Sequence, residues 1–378
     1  MPVTNMQGLN SKVNFSIEKI AFKVEDLLLT SPLRIANENY SSAKTVFVSI
    51  KSRGFEGIGE AAPDKEVTGE DFHSVSRFIE KANLEFKGRD AFDIEGINNS
   101  MDKISKGDSS AKAGIDIALY DLVGKIMKKR AVSLLGGRGN RRQTSMTIGI
   151  ENEGLSVKHA RLYKRQGFKV IKIKVGLNTD EDIKRIRKIR EEVGRGIKLV
   201  VDANQGYTLR EAQFFLSEAE AFNLGFLEQP VKFSDFYALK KLRESSSIPI
   251  MADEAMKSIE DFRRLAAMDA VSMINLKIMK VGGITKGMQI AREAMSKNIG
   301  VMVGCMEESR VGIAAGMHLD LSIKDIGFAD LDAHLTHKNR FVSSGLETRK
   351  GVNFIGKGYG LGLVFKGDFH DKNRNAFK

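Results

Sequence analysis

Cysteine is nearly missing from this chain: Cys305 stands alone. One thiol excludes an intrachain disulfide framework and any zinc site built on two thiolates. Proline is scarce, at five residues, which argues against Pro-rich linkers. No run approaches the ~18 uninterrupted apolar residues of a membrane span. The opening MPVTNMQGLNSKVNFSIEKI holds no apolar core of the secretory kind. We therefore expect no membrane partner and a reducing, cytoplasmic compartment. Also lacking is a basic tail, or a stretch where aromatics interleave with cations as single-strand binders require.

What is present is ordinary for a folded protein. The 378 residues are 42% hydrophobic and 29% charged, which excludes disorder for most of the chain. That length fits two domains, or one large barrel with an appendage. The net charge of +12 admits acidic partners, so its placement decides. Lys184, Arg185, Arg187, Lys188 and Arg190 fall on one predicted helix exterior, and Lys158, Arg161, Lys164 and Arg165 on another. Solvated helix faces account for them, and no nucleic-acid partner is expected.

The first ~125 residues read as α+β. Residues 13–25 and 44–52 alternate like strands, 57–63 closes that sheet, and 111–130 repeats apolar residues at helical spacing. Glycines 136, 137 and 139 mark a loop. From about 144, strand candidates alternate with amphipathic helices. The strands are 144–150, 169–175, 198–203, 224–228, 248–253, 271–277, 300–305 and 327–332. Repeated βα units imply a parallel sheet, and eight strands imply closure. The expected fold is α/β: a (β/α)8-type barrel over residues 131–350, an N-terminal α+β cap over 1–130, and a segment 351–378 that packs back on the cap.

Lys174, Asp202, Glu228, Asp253, Lys277 and Asp330 close these strands at intervals of about 25 residues, the last interval doubled. One βα unit per step brings each to the same rim, where barrel active sites lie. In Ile171-Lys172-Ile173-Lys174 the isoleucines face the helices and both lysines face inward. Asp202, Glu228 and Asp253 then offer hard oxygens on successive strands, with no Cys or His nearby, which favours Mg²⁺ over zinc. Ion pairing of these acids with the lysines is the alternative. Lys172 and Lys174 on strand two oppose Lys277 on strand six, which suits proton removal from one face of a carbon and return to the other. A cation and neighbouring lysines should disfavour the charged amines. Glu254 should point away from the site.

The motifs VIKIKVG (170–176), VDANQGY (201–207), EQP (228–230), ADE (252–254) and NLKIMKVGGI (275–284) resemble the enolase superfamily, muconate-lactonizing subgroup, in order and over essentially the whole chain. The resemblance implies abstraction of a proton α to a carboxylate, with the enolate on Mg²⁺, one ion per subunit. It assigns Asp202, Glu228 and Asp253 to the metal, Lys174 and Lys277 to acid/base work, and Lys172 to the substrate carboxylate. FADLDAH (328–334) resembles the DxD signature of dipeptide epimerases, in which Asp330 and Asp332 would hold a free α-ammonium; GCMEESR (304–310) resembles that group's seventh-strand loop. The implied activity is epimerisation of L-Ala-D/L-Glu or related L-Ala-Xaa dipeptides, a murein peptide chemistry.

Side-chain preference would be set by the cap loop at 28–40, where Arg34 is the candidate contact, and by Glu307 at the mouth; Glu38 stands where Ala-Glu enzymes carry a basic residue. The loop at 53–62, rich in glycine, is expected to be a mobile lid. His334 and His337 are expected at the surface, and Cys305 as a buried inert thiol. Family analogy suggests a homo-oligomer. The rival activities are N-acylamino acid racemase, o-succinylbenzoate synthase or cycloisomerase, and, outside enzymes, a basic barrel that binds an acidic partner.

Overall fold

The computed structural model describes residues 14–366 and 369. The first 13 residues of the expected cap, and residues 367–368 and 370–378 of the expected C-terminal segment, lie outside the described residues. Three antiparallel strands open the chain: Lys19–Arg34, Asn39–Ser52 and Phe55–Ala61. Helices Phe72–Phe86, Ile94–Ile104 and Ser109–Ile126 follow. The last is apolar on nearly every side because the cap sheet covers one face and the barrel the other.

Residues 53–62 are therefore not a lid. Arg53 and Gly54 make the left-handed turn of a hairpin, and Phe55–Ala61 is a paired strand. Its glycines serve close packing: a β-carbon on Gly57 would stand 2.2 Å from the Ala118 carbonyl oxygen, and one on Gly59 2.0 Å from that of Gly114.

Seven parallel strands build the barrel: Ser145–Ile148, Val170–Lys174, Lys198–Asp202, Leu224–Glu228, Ile250–Ala252, Met273–Lys277 and Gly300–Gly304. The eighth expected strand, 327–332, is reduced to two bridging residues. Ala329 pairs with Thr144 and Asp330 with Gly304, so this short segment closes the ring between the outer strands. A 3-10 turn, Ala333–Leu335, follows it.

The strands separate two cores by their period-2 alternation. Ile171, Ile173, Leu199 and Val201 join the helices in the outer core. Val170, Val200, Phe226, Met251 and Met302 form an apolar plug inside the ring. A typical helix, Thr179–Val193, buries Ile183, Ile186, Ile189 and Val193 at helical spacing; Asn178 caps its start and Gly194 (φ 73°) ends it.

Two cap carboxylates fasten the cap to helix N-termini of the barrel. Glu60, fully buried, accepts from the Ser309 amide (2.8 Å), Ser309 Oγ (2.6 Å), the Gly312 amide (2.7 Å) and Thr45 Oγ1 (2.7 Å). Asp116 accepts from the Thr285 amide (3.0 Å) and Thr285 Oγ1 (2.6 Å) at the start of helix Ile284–Ser296. From the other end, Leu361 donates its amide to Asp121 (2.7 Å), and Phe365 packs on Phe47 with ring centroids 4.9 Å apart.

Candidate active site

The ionisable residues converge where the strands end. Lys174 pairs with Asp202, and Asp202 with Glu228, in the sheet register, so three charged residues stand side by side. Asp253 follows the fifth strand directly and Lys277 ends the sixth. Asp202, Glu228 and Asp253 bring carboxylate oxygens within 4.8 Å of one another, and all three are buried. Above the apolar plug, inward charge is tolerated only because it is paired.

Lys172 is the hub of that pairing. Its Nζ stands 2.9 Å from Asp202 Oδ2, 2.9 Å from Glu228 Oε2 and 2.7 Å from Asp330 Oδ2. Lys174 donates to Asp202 Oδ2 (2.7 Å) and to Asn204 Oδ1 (2.8 Å). On the opposite wall, Lys277 Nζ lies 2.8 Å from Asp253 Oδ2, while Lys280 takes Asp253 Oδ1 (2.5 Å), the Asp253 carbonyl (2.5 Å) and the Asn275 carbonyl (3.2 Å). Asn275 donates to Glu228 Oε1 (2.8 Å). Glu228 Oε2 accepts no hydrogen bond, and its one ion-pair contact is Lys172.

Burial drives every shift here, and the neighbours decide its outcome. Burial pushes the Asp202 carboxyl up, but Lys172 and Lys174 overrule it and hold it at about 2. Burial and the Asp202 charge lift Glu228 to about 8, against the pull of Lys172. Asp253 is held well below its ordinary range, since Lys277 and Lys280 outweigh its burial. Burial works against the charged form of Lys172 and Lys277, yet the acids around them raise both amines above their ordinary value. The expected lowering of these lysines is thus reversed while carboxylates pair with them.

At the eighth position, Asp330 takes Lys172 on one oxygen and Ser145 Oγ (2.5 Å) on the other. Asp332 accepts the Thr147 amide (2.8 Å); burial and the Asp330 charge push it up to about 7. Both aspartates therefore sit on the inner wall beside the first strand, within the same charged cluster as the three lysines. Glu307 lies at its edge, half-buried, with Oε2 3.1 Å from His337 Nε2.

Arg34 does not reach this cluster. Its carbonyl accepts the Ile150 amide (2.8 Å) above the first strand, but its side chain is exposed and makes no hydrogen bond or ion pair among the described residues. Glu38 is exposed too, beside Tyr40. His334 and His337, expected at the surface, are buried at 7% and 8% exposure, His334 on Thr348 and His337 on Glu307. Burial pushes the half-buried Cys305 thiol well up, which keeps it protonated. Glu254, expected to point away, is buried and accepts from Asn204 (3.1 Å); burial and the Asp253 charge lift it to about 7.

Three functional neighbours escaped the sequence reading. Lys280 is a lysine with buried Ile278, Met279 and Val281 around it, and that burial in an apolar turn was the available signal. Asn275 shares the inward face with Lys277. Gln229, at φ 33°, accepts the Asp253 and Ala255 amides and so fixes the loop that carries Asp253.

Three hard carboxylate donors, one with an orphaned buried oxygen, fit a divalent cation. Two amines on opposite walls can exchange protons with one carbon between them, and an acidic pair on a third side can hold a cationic group.

Comparison with known proteins supports this chemistry. Residues 156–369 match the enolase C-terminal domain-like family model, and residues 18–136 the mandelate racemase / muconate lactonizing enzyme N-terminal domain. The hydrophobic dipeptide epimerase of Enterococcus faecalis is 35% identical over 92% of this chain and 99% of its own length. The L-Ala-D/L-Glu epimerase of Clostridium acetobutylicum is 36% identical over 80% of this chain and 86% of its own. The crystal structure of the Enterococcus faecalis enzyme with Mg and L-Leu-L-Tyr gives a TM-score of 0.90, covering 92% of this chain and 99% of that one at 35% identity.

Proposed function

This chain belongs to the mandelate racemase / muconate lactonizing enzyme family of the enolase superfamily, and on that premise we propose that it is an isomerase, a dipeptide epimerase that inverts the α-carbon of a dipeptide's C-terminal residue. The observation that carries the reading is three-sided. Lys174 and Lys277 end strands four apart in the ring, and Asp330 and Asp332 stand where an eighth strand would close it.

Asp202, Glu228 and Asp253 would hold one Mg²⁺ per subunit. When bound, the ion supplies the positive charge that offsets the anion developing on the substrate carboxylate as the α-proton leaves. Its ligands are the carboxylates that Lys172, Lys174 and Lys277 pair with here, so metal binding competes with those ion pairs. Lys174 serves one face of the α-carbon and Lys277 the other. One amine takes the proton as the C–H bond breaks; the other, as an ammonium, returns a proton to the opposite face. Lys172, sunk at 2% exposure among acids, stays protonated and steadies the substrate carboxylate.

Asp330 and Asp332 would hold the substrate's α-ammonium. A buried cation needs carboxylates, whereas an acylated amine would leave Asp332, which has only the Thr147 amide here, without a cation. This separates the reading from an N-acylamino acid racemase. L-Ala-Xaa dipeptides, including L-Ala-D/L-Glu from murein, are the proposed substrate class. A homo-oligomer in a reducing cytoplasm completes the proposal, resting on family analogy and on the lone cysteine; among the described residues no helix is long and apolar enough to cross a membrane.

The test is incubation with Mg²⁺ and an L-Ala-L-Xaa library in D₂O. A one-dalton gain at the α-carbon, confined to particular dipeptides, is expected. Exchange with acylated amino acids and with no dipeptide would overturn the reading.

A further inference from the structure

The opposite end of the barrel holds a second cavity, of about 490 Å³, lined by the first residues of several strands and the loops before them. The apolar plug separates it from the mouth. Three of its lining residues are cations, Lys169, Arg195 and Lys198, and none is an acid.

Several cations on the helical surface find acids: Arg161 with Glu192, Arg243 with Asp269, Arg263 with Glu293. Lys169, Arg195 and Lys198 have no such partner among the described residues. Lys198 instead lies over the Phe328 ring, 5.4 Å from its centroid, and Phe328 is itself stacked parallel to the buried Phe226.

The cavity wall is also fixed. Arg190 donates to the carbonyls of Phe222 (3.0 Å), Gly194 (2.8 Å), Ile197 (2.7 Å) and Asn223 (3.3 Å). One guanidinium thus ties together the two loops that present Arg195 and Asn223. Its own charge is disfavoured, first by burial and then by Arg195. The wall thereby sets like charges near one another with no acid between them, a local conflict that a bound anion would relieve. β-Carbons built on Gly196 and Gly327, both in the lining, meet nothing within 4 Å, so the backbone there stays open to a ligand. The volume lies in the range of small-ligand sites, and the charge selects the chemistry.

We propose that this opening binds a small soluble oxyanion of the phosphate or pyrophosphate class, at a site separate from the catalytic mouth. Pyrophosphate is the probe: it carries two charged groups for three cations and lacks any carbon skeleton the catalytic site could recognise. Full-length protein, freed of metal so that the probe is not chelated, is titrated calorimetrically at low ionic strength.

Saturable binding is expected. Arg195→Ala with Lys198→Ala should weaken it by at least about tenfold. The single exposed change Lys169→Gln, which threatens no packing, should weaken it by about threefold. Lys158→Ala with Lys164→Ala, on an outer helix, should leave it within about twofold and so rule out general charge attraction. Dipeptide exchange in D₂O should be unchanged in all three variants. No binding, equal binding in the Arg195/Lys198 and Lys169 variants, or equal loss in the outer-helix control would each overturn the proposal.

Discussion

Replace Glu60 with alanine and the seam between cap and barrel loses its buried anion. Four donors then face a gap: the amides of Ser309 and Gly312, and the hydroxyls of Ser309 and Thr45. The hydroxyls can rotate, but the two amides are fixed by the start of helix Arg310–Asp320. Each buried donor left unmet costs about 1–3 kcal/mol. Loss of negative charge at that helix N-terminus adds about 0.3–2 kcal/mol. The sum for Glu60→Ala is about 2–8 kcal/mol, before any cavity term.

Glu60→Gln is the sharper probe. It keeps the shape and one acceptor oxygen, but turns an amide NH₂ toward one of the two backbone donors. About 1–5 kcal/mol should be lost, roughly half the alanine effect. With no tryptophan in the chain, urea unfolding is followed by far-UV circular dichroism. Because Glu60 sits on a cap strand and Ser309 follows the seventh-strand loop, the same variants should raise the dipeptide KM more than they lower kcat. A Glu60→Gln protein within about 0.5 kcal/mol of wild type would refute the account of the seam.

Lys277→Ala should lower epimerisation by at least about a hundredfold, yet leave α-proton exchange in D₂O for the one epimer whose proton faces Lys174; loss of exchange from both epimers would contradict opposed bases. Glu228→Gln should weaken Mn²⁺ binding, read by electron paramagnetic resonance, by at least about tenfold, because it removes one of three carboxyl groups that can ionise onto the metal. Asp332→Asn should harm dipeptide turnover and spare metal binding; equal harm to both would place Asp332 with the metal instead. His318 accepts the Val132 amide (3.0 Å) on Nδ1, and burial pushes it from 6.5 to about 4. The unfolded chain therefore takes up its proton first on acidification. Stability tied to His318 should be full above pH 6.5 and fall toward pH 4, by up to about 1.4 kcal/mol per unit, a slope that a His318→Asn variant lacks.

The barrel was legible in sequence because its signal is periodic. Seven of the expected strands form, and the inward parity of Lys172, Lys174 and Asp202 follows from alternation alone. Asp330 and Asp332 were legible for the same reason, even though their segment forms bridges and not a strand. What escaped is whatever depends on a partner some 25 residues or more away. Alternation puts Glu254 outside the barrel, but only the fold supplies the Asn204 amide that draws it in. Lys280 looks like one more cation in a basic chain until Asp253 and the Asn275 carbonyl close on it. The glycines at 57 and 59 read as looseness, and become tightness once helix Ser109–Ile126 presses on them. The lysine pKa values are the deepest case. Proximity of like charges argued for lowering, yet Lys172 and Lys277 are surrounded by more acid than amine, and the nearer charge decides. The same balance explains how one site can be stable with lysine–carboxylate pairs and still accept a cation. Lysine and metal compete for the same oxygens, so Mg²⁺ occupancy and the freedom of Lys174 and Lys277 to move protons should rise together.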